Sequence, residues 1–219
     1  MFKFFKKDKI NIDSISIPNM NWNIDKNTSD IKQWINPAQT IALSVNFFDL
    51  KPDLPTIKDI GQLRDFYRNQ ISNYNGGLVE VEMIDIKGFN VIRTIFKIQQ
   101  QPTGMTYLAS LTIPFENHSY VIKIQAPEIG TTGIRDSMIA SKLLNENKIT
   151  IGDNGYEGWF SDPYNSAISE GLLMNKSEER KYDLDFPEHP LSNARKLLDK
   201  IEVEIEFDTT LQKAKKFRR

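Results

Sequence analysis

Residues able to do acid–base or metal chemistry are few in this chain and poorly spaced for it. The two histidines, His118 and His189, lie 71 positions apart, and there is no cysteine. A zinc site would need carboxylates to complete it, and no HExxH pair is present. The zero cysteine count also removes disulfides, thiolate ligands and a thiol nucleophile. Neither GxSxG, GxGxxG nor GxxxxGK[ST] occurs, so the sequence offers no nucleophile elbow and no phosphate cradle of the common kinds. Gly152, Asp153, Asn154, Gly155, Tyr156, Glu157 and Gly158 set oxygen ligands among glycines, yet their spacing does not fit a calcium loop of the EF-hand type. They read as a tight turn leading into Trp159. Asp183, Asp185 and Glu188 read as a solvated acidic loop rather than a ligand set. His118 falls in a predicted turn, and His189 lies in FPEHP at a helix start, where capping explains it. The sequence thus predicts no catalytic residue, no cofactor and no metal, which weighs against an enzyme.

Aromatic residues are the other candidates. Trp159, Phe160, Tyr164, Tyr182 and Phe186, with His189, form the candidate interaction surface, because exposed aromatics mark recognition sites. The competing reading is that they pin a long irregular segment to the core. Stacking on nucleic acid would need interleaved cations, and residues 152–175 contain no Lys or Arg.

The elements that must position these residues follow from periodicity. Ile41, Leu43, Val45 and Phe47 alternate as a half-buried strand. Ile60, Leu63, Tyr67 and Ile71 recur at helical spacing after Thr56 and Asp59, a capping-box-like pair, and Asn75, Gly76 and Gly77 stop that helix. Four strand-like runs follow: Val79 to Met83, Ile92 to Ile98, Met105 to Ile113 and Tyr120 to Ala126, with a hairpin turn at Lys87 and Gly88. A meander is the economical arrangement. A second helix is predicted over 132–145 with Ile134, Met138, Leu143 and Leu144 as its apolar members. Residues 152–190 lose all period, which means either a wrap over the core or undetected elements. A last helix starts at Pro190 with the stripe Leu191, Ala194, Leu198 and Ile201. IEVEIEF at 201–207 reads equally as strand or as helix.

The result is an α+β chain with an antiparallel sheet of about six strands flanked by helices. We expect one domain over 1–219, with a core at 38–147, an irregular segment and helix at 148–207, and a basic tail at 208–219. With 28 basic and 29 acidic residues the net charge is -1, so nothing biases the whole chain toward nucleic acid. The basic runs Lys3, Lys6, Lys7, Lys9 and Lys213, Lys215, Lys216, Arg218, Arg219 read as solvated, frayed ends. The opening MFKFFKKDKINIDSISIP lacks a signal peptide's apolar run and no stretch is long enough to span a bilayer, so the expected location is the cytoplasm. An amphipathic anchor through Phe2, Phe4 and Phe5 is a minor alternative.

The order of elements, carried by TIKDIGQLRDFYRNQIS, GGLVEVEMIDIKGFNVIRTIFKI, MTYLASLTIPF and SYVIKIQAPE, resembles the Mog1p/PsbP-like fold over roughly residues 38–147. The tail from WFSDPYN through KYDLDFPEHPLSNARKLL is similar to tails of uncharacterised bacterial proteins. The fold resemblance implies a non-enzymatic role in binding another protein, and it brings no site residue, because no motif position matches. The leading expectation is a bacterial, cytoplasmic protein-binding or chaperone-like module with an unidentified protein partner and one sheet face partly open, a face on which Leu108 sits. The alternative is a small-molecule-binding protein or hydrolase using a pocket between the sheet and residues 152–190.

Overall fold

The computed structural model describes residues 9–218. The readings made for Phe2, Phe4, Phe5, Lys3, Lys6, Lys7 and Arg219 lie outside the described residues. Seven strands build one antiparallel sheet: β1 (Asn23–Asn27), β2 (Ile31–Ile35), β3 (Ala42–Phe48), β4 (Gly76–Ile86), β5 (Phe89–Gln99), β6 (Met105–Pro114) and β7 (Ser119–Pro127), in the spatial order β1-β2-β3-β7-β6-β5-β4. From β4 to β7 the chain meanders, and β3 then closes on β7 with Val45 opposite Ile122. The β1–β2 hairpin, ahead of residue 38, adds two strands to the five that the periodicity marks and brings the sheet to seven. Its polar residues, exposed throughout β1, carry no alternation from which a strand could be read.

Helix α1 (Ile60–Ser72) begins at Asp59, whose carboxylate accepts the Gln62 backbone N–H at 3.1 Å. Such a cap stabilises by about 1 kcal/mol. Thr56 instead accepts from Lys58 N one turn earlier. Leu63, Tyr67 and Ile71 face inward, as their spacing requires. The turn after the helix closes at Asn75 in a left-handed conformation (φ 54), which asparagine tolerates better than most residues. Gly76 and Gly77 then open β4 in full contact with their surroundings. A Cβ on Gly77 would lie 2.0 Å from the Leu172 carbonyl oxygen, so only glycine lets residue 172 approach the strand. Gly77→Ala is expected to lower stability by about 1–3 kcal/mol, the usual cost of overpacking, read as a lower urea midpoint with an unchanged slope.

Helix α3 (Pro190–Glu204) covers the other face of the sheet. Pro190 occupies its first turn, His189 is the N-cap, and Leu191, Ala194, Leu198 and Ile201 are wholly buried against β6 and β7. Burial of each large aliphatic side chain contributes about 1.5–3 kcal/mol. The 201–207 ambiguity resolves into both states: the helix runs to Glu204, and Glu206–Phe207 pairs antiparallel with Ile15–Ser16. Helix α2 (Ile134–Asn145) differs from its predicted face. Of the predicted apolar members, Leu143 is buried and Leu144 packs beside it, but Ile134 and Met138 are largely exposed, and Arg135, Ile139 and Ala140 are buried in their place. The basic run from Lys213 to Arg218 is likewise not frayed. Lys216 bridges to Phe115, Glu116 N donates to Lys215 O at 2.9 Å, and Phe217 is buried beside Leu54 and Leu63. One apolar anchor holds a polar tail in place.

Candidate interaction site

On the α3 side, the sheet carries charged groups among its apolar ones, and they hold residues 174–183 down. Lys97 Nζ donates to Glu178 at 2.7 Å, and both side chains are essentially removed from solvent. Glu178 also accepts the Tyr107 hydroxyl (3.1 Å) and Asn175 N (2.8 Å). Burial first, then the neighbouring carboxylates, hold the Tyr107 phenol well above its usual range, so it stays a donor. Arg135 of α2 donates to Ser177 O (2.7 Å), Glu179 O (3.2 Å), Ser192 Oγ (2.9 Å) and Asp183 (3.0 Å). Arg93 of β5 donates to Glu80 at 2.5 Å and to Glu202. Burial works against its charge, but those carboxylates outweigh it and raise its pKa. Lys97, Tyr107 and Glu178 occupy part of the interval between the sheet and residues 152–190, and a small hollow of about 50 Å³ remains between residues 76–78 and residues 162–174. A shallow hollow of about 260 Å³ opens at its rim, lined by Glu128, Arg135, Phe186 and His189.

The residues singled out from the sequence do not share one surface. Trp159 and Tyr182 are buried with Ile139, Ala140, Leu143 and Ile149, and Phe186 packs beside them. Phe160 is 56% exposed, with its ring centroid 6.3 Å from that of Trp159. Tyr164 lies at the free edge of β4. Its hydroxyl accepts Val81 N at 2.8 Å and donates to Glu82 at 2.9 Å, and the Arg64 guanidinium stacks 3.6 Å from its ring centre. An exposed strand edge is a template for unwanted pairing, and this contact occupies part of it. Asp162 secures the same loop through Arg68 at 2.7 Å; burial opposes its ionisation, but the arginine and two backbone N–H donors keep its pKa low.

His189 accepts Leu191 N on Nδ1 at 3.2 Å, leaving Nε2 to face Glu128 at 3.5 Å. Glu128 in turn accepts Met105 N and Gly133 N, so both groups organise backbone. His118 stacks on Phe115 at 4.6 Å, and burial lowers its pKa. Asp183, predicted to be a solvated loop residue, is a partner of Arg135 and Arg195.

The opposite face of the sheet is divided. Helix α1 and the residues around Leu54 and Phe217 lie over Leu78, Val81, Ile92 and Phe96 of β4 and β5. Beyond them, strands β6, β7, β3 and β2 present three aligned rows. Leu108, Gln125, Ala42 and Ile35 form one; Ser110, Lys123, Ser44 and Gln33 the next; Thr112, Val121, Asn46 and Ile31 the third. All but Ser44 are half-buried or exposed.

Lys123 is the one charge among these twelve positions, whereas 26% of the chain is charged. Scarcity of charge is shared with the centres of protein interfaces, although the aromatic, Met and Arg residues enriched at such centres are missing from these twelve positions. Several of the polar groups are already oriented: Ser110 Oγ lies 2.7 Å from Thr94 Oγ1, and Asn46 donates to Ser44 Oγ and Val121 O at 3.0 Å each. Preorganisation lowers the entropy cost of binding. Of these residues, sequence reading marked only Leu108. The usable signal was the alternate, non-core position of each strand, which by itself looks like ordinary solvated surface.

No family model and no curated protein sequence matches the chain. Among solved structures it is similar to the Ran-binding protein Mog1p of Saccharomyces cerevisiae, at 11% identity and a TM-score of 0.46, over 90% of this chain and 93% of that one. It is also similar to the cyanobacterial PsbP of Synechocystis, at 8% identity and 0.38, over 66% and 86%. A Bacteroides thetaiotaomicron protein aligns at 12% identity and 0.36, over 55% of this chain; the chain spans 41% of that protein's length. The likeness is one of layout, an antiparallel sheet flanked by helices, as the order of elements led us to expect. At such identities and TM-scores it says nothing of what this chain binds. Among the described residues, no helix is long and apolar enough to cross a membrane.

Proposed function

We propose that the chain is a non-enzymatic protein-binding or chaperone-like module of a bacterial cytoplasm, and that its partner docks on the open rows of β6, β7, β3 and β2. One observation carries this reading: a broad, nearly uncharged, half-exposed sheet field beside a helix that covers the adjoining strands and reaches the field at Thr112 through the Tyr67 hydroxyl. The partner's contact would be neutral to weakly acidic at its centre, meeting Lys123. A pocket for a small molecule between the sheet and residues 152–190 has less support, because the Lys97–Glu178 pair occupies part of that interval and the hollows left there, of about 50 and 260 Å³, are small or shallow.

The test is affinity capture from native lysate with the parent and with Leu108→Asp/Val121→Asp. Both positions are partly exposed, so the variant should keep the parent's melting temperature within a few degrees. A partner recovered stoichiometrically by the parent should bind the variant at least about tenfold more weakly, corresponding to about 1.4 kcal/mol. Equal recovery by both proteins, or no partner for either, overturns the proposal.

A further inference from the structure

One end of the sheet gathers exposed apolar groups and cations that neither the fold nor the docking face uses. Here β3 stops, with Phe48 opposite Ser119, and the β4–β5 and β6–β7 turns come together, Phe89 and Phe115 being 5.4 Å apart. Phe48 is 42% exposed and Leu50 59% exposed, although each is large enough to be a core residue. Beside them Lys51, Lys215, Lys216 and Arg218 line a hollow of about 450 Å³. The ordered tail places these cations: Phe217 is buried between two of them, and Lys216 Nζ donates to Gly88 O at 2.5 Å. The acids at this end are Asp13, Asp49, Asp85, Glu116, Glu206 and Asp208; Glu206 pairs with Lys87 at 2.5 Å and Asp85 accepts Gly88 N. Asp49 lies 3.6 Å from Lys9 and Glu116 lies 3.2 Å from Lys215. Among the described residues, Lys51 and Arg218 have no such pairing.

We propose that this end of the molecule docks on an anionic membrane surface, Phe48 and Leu50 entering the headgroup region while Lys51, Lys215 and Arg218 meet lipid phosphates. Apolar burial at the headgroup boundary and attraction of cations to anionic lipid add together at a bilayer surface, and exposed apolar side chains and cations lie together here. A chain with a net charge of -1 has no general attraction to anionic lipid, so the attraction is local.

The full chain is sedimented with vesicles of phosphatidylcholine alone and of phosphatidylcholine containing phosphatidylglycerol. Binding is expected only to the anionic vesicles and should fall as salt is added. Each cation contributes about 1 kcal/mol, so Lys51→Ala/Arg218→Ala is expected to lower the partition coefficient about thirtyfold. Both residues are exposed, so its melting temperature should match the parent's. Leu108→Asp/Val121→Asp should bind vesicles like the parent, which separates this surface from the docking face. No binding to the anionic vesicles, or undiminished binding of Lys51→Ala/Arg218→Ala, overturns the proposal.

Discussion

Replacing Glu178 by alanine is expected to cost about 3–5 kcal/mol of folding stability, because it leaves a buried charge without its partner. Three donors converge on that carboxylate: Lys97 Nζ, the Tyr107 hydroxyl and Asn175 N. Lys97 is 1% exposed and cannot turn to water without breaking the packing of β5 against the 174–183 segment. Denaturation in urea with a double-mutant cycle gives the test. Lys97→Met/Glu178→Gln removes both charges and should lose far less than Glu178→Ala, since neutral groups of similar volume replace the pair. If the double variant is as unstable as the single one, lost packing is the cause and the ion pair is not.

The second large effect belongs to Arg135. It is fully buried, and its guanidinium binds two carbonyls, a hydroxyl and a carboxylate from three separate stretches of chain. Arg135→Ala leaves those acceptors short of donors and a void between α2 and α3, again at about 3–5 kcal/mol. Its consequence should also be local. Trypsin is expected to cut at Lys176, Arg180 and Lys181 at least about tenfold faster than in the parent, since local opening governs such cleavage. Arg135→Met restores volume without the hydrogen bonds and should remain almost as susceptible. Unchanged cleavage of Arg135→Ala would show that the aromatic contacts of Trp159 and Tyr182 suffice to hold the segment.

The same arginine explains why α2 departs from its sequence reading. Ile134, Met138, Leu143 and Leu144 make a plausible apolar stripe, yet Arg135 has partners at Ser177, Asp183 and Ser192 that rotate the helix to bury it. Nothing local to residues 134–145 announces partners some forty to sixty positions away. The irregular 152–190 segment was opaque for a related reason. It consists of two-residue and three-residue ladders and short 3-10 turns, tied down by ion pairs and single aromatic anchors, and such elements have no period to detect. Tyr164 illustrates the limit: its type suggested recognition or pinning, and only its bond to Val81 N reveals that it closes a sheet edge.

By itself the sequence determined the α+β class, the meander from β4 to β7, helices α1 and α3, and the absence of the common catalytic motifs. Each of these depends on side-chain period or on local motif spacing, which a chain displays along its own length. Tertiary structure decided which sheet face is covered and where. Ser110, Thr112 and Lys123 alternate with buried residues as they would on any half-exposed sheet. Only the placement of α3 over one face and α1 over β4 and β5 on the other makes them a continuous open field. Which face an amphipathic helix chooses is settled by contacts between residues far apart in the chain, such as Leu198 of α3 with the core of β6 and β7, and those contacts leave no local trace.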